Sequence, residues 1–84
     1  MNTVSDDHIL SELIDIFRDV FDDDNVTLTM DSTAEDFDKW DSLNHINIVV
    51  ACEMHFKIKF QTAEIESLKN VGELVELIRS KQAR

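Results

Sequence analysis

The chain has 84 residues and lacks several residue types on which particular structures depend. Its one cysteine, Cys52, excludes an internal disulfide and a zinc cluster built on cysteine ligands. It has one glycine and no proline. No apolar run approaches the roughly 20 residues of a membrane-spanning helix, and no signal-peptide pattern opens the chain. We therefore expect residues 1–84 to form one small cytoplasmic domain that does not enter a membrane.

Basic residues are also scarce, and the charge is unevenly distributed. The chain has 8 lysines and arginines against 18 acids, a net charge of −10. Residues 1–41 hold 13 acids against Arg18 and Lys39, whereas residues 42–84 hold 5 acids against 6 bases. Such a field disfavours nucleic acid and anionic membranes as partners and attracts basic protein surfaces. The alternative is that the acids only keep a small domain soluble.

Apolar residues recur at helical spacing in most of the chain, which predicts an all-α fold. The expected architecture is a small four-helix bundle of three longer helices and one short helix, with a long loop between helices 1 and 2. A pattern typical of a capping box, Ser32 to Glu35, predicts one helical turn in that loop. Ser5 is the expected cap of the first helix, and Thr62 that of the short one. The predicted helices are 5–21, 41–56, 63–67 and 71–81, with the loop turn at 34–37.

Ser42 stands where the acidic loop changes into the apolar second helix. Asp41 is a favourable N-cap residue, since its carboxylate accepts hydrogen bonds from the first N–H groups of a helix. A phosphate ester on Ser42 would be stabilised by free N–H groups and by the positive end of the helix dipole. His45 follows one turn later, but a Ser/His hydrolase would need the Gly-x-Ser-x-Gly turn, and this stretch has no glycine. A hydrolase is therefore disfavoured.

The second helix carries two apolar faces. Ile48, Val49, Cys52 and Phe56 form the expected core face, so we interpret Cys52 as a small buried hydrophobe and not a reactive thiol. The opposite side carries a second set, here called the outer stripe: Leu43, Ile46, Val50 and Met54. The outer stripe is either covered by the loop, with Trp40 and Phe37 as candidates, or exposed for docking. We favour docking.

No metal site is predicted. The run Asp22 to Asp24 suggests calcium, but Thr27 and Thr33 occupy the positions of the glycine and the last glutamate of an EF-hand loop. His45 and His55 are ten residues apart, which does not suit a metal pair on one helix.

Asp41-Ser42-Leu43, followed by an apolar helix that ends at Phe56, resembles the prosthetic-group motif of the acyl carrier proteins. The resemblance covers roughly residues 9–79. It implies a non-enzymatic carrier with 4′-phosphopantetheine, derived from coenzyme A, attached to Ser42 and with Asp41 orienting that serine. Acyl or aminoacyl groups would be held on the arm as thioesters.

The resemblance also implies partners and contact residues. A phosphopantetheinyl transferase, acyl-loading enzymes and acyl-transfer or condensing enzymes are the expected partners of a monomeric carrier. Leu43, Ile46 and Val50 match partner-contacting positions, and we add Met54 and Asp38 to this set. Residues that match the family's acyl pocket are Ile48, Cys52, Phe60, Leu68 and Leu74.

Some residues depart from the pattern of carriers in primary fatty-acid synthesis. Lys39 and Trp40 precede Asp41 where a glycine usually comes shortly before the motif, and Asn44 and Asn47 stand where acids are expected. The sequence is more similar to discrete carriers of specialised, polyketide-type pathways. An acidic helical module that binds other proteins without a prosthetic group is the alternative.

Overall fold

The computed structural model describes residues 6–82, and most of them are helical. The helices are α1 Asp6–Phe21, α2 Ser42–Phe56, α3 Thr62–Glu66 and α4 Val71–Gln82, with a 3₁₀ turn at Ala34–Asp36. Residues 6–82 contain no strand. The prediction of three longer helices, one short helix and a long first loop is confirmed. The predicted cap Ser5 lies outside the described residues.

The core forms where α1 packs against α2 and α4. Helix α1 begins with Asp6 and Asp7 in its first turn and ends with Arg18 in its last, which suits the helix dipole. Its apolar residues recur every three or four positions, so one face is buried along its whole length. The fully buried large side chains are Ile9, Leu13, Phe17, Ile48, Val71, Val75 and Ile78. Among residues 6–82, no helix has both the length and the apolarity to span a bilayer.

The long loop is fixed to the bundle at several points. Val26 and Leu28 are buried in the core, and Met30 packs against it half-buried. The Arg18 guanidinium donates from Nε to the Val26 carbonyl at 2.7 Å. The Lys39 ammonium donates to the carbonyl of Phe21, at the end of α1, at 3.1 Å. The loop is therefore an ordered layer that brings residue 41 to a defined place.

The turn inside the loop begins at Ala34, as predicted, but its cap lies one residue later than the capping-box pattern predicts. Thr33, and not Ser32, is its N-cap residue, and Asp36 replaces the predicted partner Glu35: its carboxylate accepts from the Thr33 N–H at 2.9 Å. The hydroxyl of Ser32 instead accepts from the Thr29 N–H at 2.9 Å. Either of the two adjacent hydroxyl residues could have capped the turn. The hydroxyl of Ser32 is bonded to Thr29, so Thr33 is the cap.

Helix α3 begins one residue earlier than predicted. Thr62 is its first helical residue, and Gln61 occupies the cap position. The Glu64 carboxylate accepts from the backbone N–H of Gln61 at 2.8 Å. The predicted cap Thr62 is therefore wrong by one position. Glu64 fixes the start of the helix, because its carboxylate binds the backbone N–H of the residue three positions before it.

Candidate functional site

The start of α2 has the N-cap that the sequence predicts. Asp41 has an extended backbone, with φ −97° and ψ −174°. Its Oδ1 accepts from the Asn44 N–H at 2.8 Å, and its carbonyl accepts from the His45 N–H at 2.8 Å. An N-cap of this kind stabilises a helix by about 1 kcal/mol. Asp41 therefore fixes where α2 begins.

Ser42 is the first residue of α2 and is exposed. Within residues 6–82, nothing accepts from or donates to its hydroxyl, and the N–H groups of Ser42 and Leu43 have no acceptor. Free N–H groups at the positive end of a helix dipole are suited to phosphate oxygens. An accessible hydroxyl beside these N–H groups fits a phosphate ester.

Asn44 connects the loop to the helix. Its side-chain Nδ2 donates to the Lys39 carbonyl at 2.7 Å, and its Oδ1 accepts from Asn47 Nδ2 at 3.1 Å. The sequence analysis noted Asn44 only as a neutral residue where an acid is expected. The missed signal is that an amide can donate to a carbonyl, whereas a carboxylate cannot.

Trp40 and His45 form a hydrogen-bonded pair at the same end of α2. The Trp40 indole Nε1 donates to His45 Nδ1 at 3.0 Å. The Trp40 ring also meets the buried Phe17 ring edge-on, with centroids 4.9 Å apart. In the sequence, His45 is notable only for its spacing from Ser42 and from His55, and neither spacing indicates Trp40 as its partner.

The outer stripe is exposed. Leu43, Ile46, Val50 and Met54 show 68 %, 59 %, 47 % and 74 % of their surface, and they are the exposed large apolar residues of the described chain. Trp40 packs on Phe17 and Phe37 packs on Phe21, so neither ring covers the outer stripe. The alternative in which the loop covers the stripe is therefore wrong. A row of apolar side chains facing water is typical of a docking surface.

Two concave regions meet near Ser42. A small cavity of ≈ 70 Å³ lies inside the bundle, and Ile48, Leu68 and Leu74 contribute to its wall. An open groove of ≈ 700 Å³ runs past Ser42, between Ile46 on α2 and Ile65 on α3.

Two of the residues matched to the acyl pocket lie away from the small cavity. Cys52 is fully buried in the core, and burial, together with the negative charge of Glu53, raises the pKa of its thiol to about 12. Phe60 faces Lys81, whose ammonium lies 6.0 Å from the ring centroid. Cys52 is therefore an unreactive core residue, as the sequence predicts.

Among the residues that the structure describes, the acids of the loop have no cationic partner. Within residues 6–82, the ion pairs involve Asp6, Glu12 and Glu64, and none of the acids of residues 22–41. Arg18 and Lys39 are directed to backbone carbonyls instead. In the described part of the chain, no group of three acids, histidines or cysteines is arranged to hold a metal ion.

No family model and no curated protein matches the chain. It is similar, however, to a holo acyl carrier protein from Geobacter metallireducens whose structure was determined in solution by NMR. The two chains share 51 % sequence identity over 90 % of this chain and 87 % of the other, with a TM-score of 0.86. The chain belongs to the acyl carrier protein family.

Membership of this family confirms two predictions, that the chain is not an enzyme and that it carries 4′-phosphopantetheine, and it supports the predicted classes of partner. Acyl carrier proteins carry groups between enzymes and are not enzymes themselves, which agrees with the absence of a nucleophile elbow around Ser42. The match to a holo form agrees with the predicted covalent 4′-phosphopantetheine. A carrier also works through contacts with a transferase and with acyl-handling enzymes, so exposed recognition surfaces are expected on this chain.

Proposed function

We propose that this carrier holds acyl or aminoacyl groups as thioesters on 4′-phosphopantetheine attached to Ser42, in a specialised fatty-acid or polyketide-type pathway. The observation that carries the proposal is the exposed Ser42 hydroxyl at the first position of α2, beside the Asp41 cap, in a member of the carrier family. The bound group supplies a terminal thiol, whose thioester keeps the cargo activated for transfer. Residues 1–84 act as one cytoplasmic domain.

The chain's own contribution at Ser42 is orientation and electrostatics. Asp41 holds the first turn of α2 through its bond to the Asn44 N–H, which fixes the direction in which the serine faces. The unpaired N–H groups of Ser42 and Leu43 are available to a phosphate oxygen. Neither contribution requires chemistry by the carrier.

Recognition by partner enzymes would use two neighbouring surfaces. The outer stripe offers a small apolar contact that begins at Leu43, directly after Ser42. Asp38 is exposed three residues before Asp41 and adds negative charge on the loop side. Contacts of this kind are small and weak, and opposite charge on the partner speeds their formation. The partners we propose are a phosphopantetheinyl transferase and acyl-loading, acyl-transfer or condensing enzymes with basic surfaces.

The cavity inside the bundle supports a shelter for part of the cargo. Ile48, Leu68 and Leu74 give it an apolar lining. Cys52 and Phe60, which do not line it, are left out of this proposal.

The assignment is tested by intact mass after incubation with coenzyme A, magnesium and a broad-specificity phosphopantetheinyl transferase. We expect the wild type to gain one phosphopantetheine and Ser42→Ala to gain none. Since Ser42 is exposed and makes no hydrogen bond through its hydroxyl within residues 6–82, Ser42→Ala should keep the circular dichroism spectrum and the stability of the wild type.

The matched control is Ser11→Ala, which removes an exposed serine from α1 and should be modified like the wild type. Failure of the folded wild type to gain mass would contradict the proposal and favour an interaction module without a prosthetic group. Modification of Ser42→Ala would show that the group is attached elsewhere.

A further inference from the structure

The small cavity and the open groove share part of their walls. Ala34, Trp40 and His45 line both, with the groove and Ser42 on one side and Ile48 and Leu74 on the other. A chain tethered at Ser42 that enters the interior from the groove therefore passes these three residues.

The shared wall is held in place by specific contacts. The 3.0 Å bond from Trp40 Nε1 to His45 Nδ1 joins the end of the loop to the first turn of α2. Trp40 is anchored from behind by its edge-on contact with the buried Phe17 at 4.9 Å. Both rings are half-buried. If His45 turned away and no water took its place, the indole N–H would be left without an acceptor. The closed arrangement is thus favoured over an open one.

The space behind the wall is small. The cavity measures ≈ 70 Å³. A cavity of about 150 Å³ is large enough to bind benzene, so this one has room for about three carbon atoms. A longer acyl chain would require Trp40 or His45 to move, or the helices to separate.

The groove on the other side is larger and open to solvent. Ile46 on α2 and Ile65 on α3 contribute apolar side chains to its wall, together with Ser42. A chain of several carbons would bury apolar surface there without disturbing the bundle.

From this arrangement we infer that Trp40 and His45 are specificity-determining residues, which admit only short acyl tips to the interior and keep longer chains in the α2–α3 groove. The inference rests on the proposed attachment at Ser42. It predicts that a medium-length chain contacts Ile46 and Ile65 and not Ile48 and Leu74.

The test uses the full chain with labelled isoleucine and leucine methyl groups, loaded from acetyl-, butanoyl- and octanoyl-coenzyme A by a phosphopantetheinyl transferase. Intact mass first establishes that one acyl-phosphopantetheine is added. Methyl NMR spectra then report which residues the chain contacts. In the wild type we expect octanoyl to shift Ile46 and Ile65, while Ile48 and Leu74 keep the shifts seen with acetyl.

Two His45 variants distinguish a wall from a merely structural residue. His45→Ala removes the acceptor and opens the wall, so octanoyl should now shift Ile48 and Leu74. His45→Asn retains an acceptor for the indole N–H, because its Oδ1 lies where Nδ1 of the histidine does, and it should behave like the wild type. Trp40→Phe is a second test, because it keeps a ring on Phe17 but removes the donor, and it should resemble His45→Ala.

Each outcome decides one question. A wild type in which octanoyl shifts Ile48 and Leu74 as strongly as in His45→Ala would overturn the inference, although the carrier function would stand. Equal spectra for the wild type, His45→Ala and Trp40→Phe would also overturn the inference. If no mass is added to the wild type, the attachment at Ser42 is wrong and the inference falls with it.

Discussion

Asn44 explains why an amide suits a position where an acid would be expected. Its Nδ2 donates to the Lys39 carbonyl, so it ties the last residues of the loop to the first turn of α2. A carboxylate there would place two acceptors together and repel the carbonyl. The position is therefore used to hold the loop beside Ser42, and it contributes no charge for recognition.

The stability of the fold should depend on the protonation of Cys52. Burial, and then the charge of Glu53, raises the pKa of this thiol to about 12, above the ordinary value of 9.0 that it regains on unfolding. The folded state then holds its proton more tightly, so this contribution to stability is complete below pH 9 and is lost as pH rises from 9 to 12. We expect the free energy of unfolding to fall by about 1 kcal/mol between pH 9 and pH 10.

Urea unfolding at pH 7.5, 9 and 10 measures this effect, with Cys52→Ala as the control. The chain contains no tyrosine, which removes one group that titrates in the same range. Cys52→Ala should be less stable at every pH but should lack the additional fall. Parallel pH dependence in the two proteins would show that the thiol is not the cause.

At the scale of elements, the loop and the start of α4 are joined backbone to backbone. The N–H groups of Val71 and Gly72 donate to the carbonyls of Ser32 and Met30, each at 2.8 Å. These are N–H groups that a helix leaves without internal partners, so the loop completes the cap of α4, in which Asn70 Oδ1 accepts from the Glu73 N–H at 2.9 Å. Gly72 permits this close approach, since a Cβ at this position would lie 2.9 Å from the Met30 carbonyl oxygen.

Gly72→Ala should therefore destabilise the protein. In an unhindered helix, replacing glycine by alanine stabilises by roughly 1 kcal/mol. Here the added methyl group would push the Met30 backbone away, and we expect a loss of about 1–2 kcal/mol, typical of overpacking. Urea unfolding gives the stability, and hydrogen exchange of the residue 72 amide reports whether the bond to Met30 is lost.

Ser80→Ala, at an exposed position of the same helix, serves as the control and should be neutral or slightly stabilising. A gain in stability for Gly72→Ala would mean that the loop moves aside at little cost. The proposed role of this glycine would then be wrong.

The elements show which features a sequence can predict. The Asp41 cap depends on residues that are close in sequence, and the spacing of the outer stripe follows from helix geometry, so both were predicted. Whether Ser32 or Thr33 caps the turn in the loop was decided by the hydrogen bond between Ser32 and Thr29. The Trp40–His45 pair and the location of Phe60 away from the small cavity depend on how the loop and the helices pack together. No spacing rule gives such contacts, because tertiary packing decides them.

Across the whole molecule, the negative charge of residues 22–41 is not neutralised by any ion pair within the described residues. Residues 1–41 contain two cations, Arg18 and Lys39, and both donate to backbone carbonyls. On α2, the acid Glu53 accepts from the Phe60 N–H at 2.9 Å and so holds the connection to α3. The charge available to partners thus lies on the loop beside Ser42 and not along α2.

Loading of Ser42 should accordingly depend on ionic strength and on loop acids. Salt shortens the range of charge interactions from about 10 Å at 0.1 M to about 3 Å at 1 M. We expect kcat/KM of the transferase to fall steadily with added salt, mainly through KM. Asp38→Asn should lower kcat/KM at low salt and weaken its salt dependence, whereas Glu76→Gln, which removes an exposed acid from α4, should change little. Equal effects of both variants would favour net charge over a located recognition surface.

The distribution of roles between loop and helix has a consequence for engineering. The proposed attachment serine and its cap lie at the start of α2, and the outer stripe runs along that helix. The exposed acids Asp31, Glu35 and Asp38 lie instead on a loop held by other residues, among them Val26, Leu28 and Met30. The charges of the loop can therefore be changed without altering the helix that carries the serine. Transplanting a different pattern of charges onto the exposed loop positions, with the buried anchors kept, should redirect the carrier to enzymes of complementary charge, and a transferase of matching charge would then be needed to attach its arm.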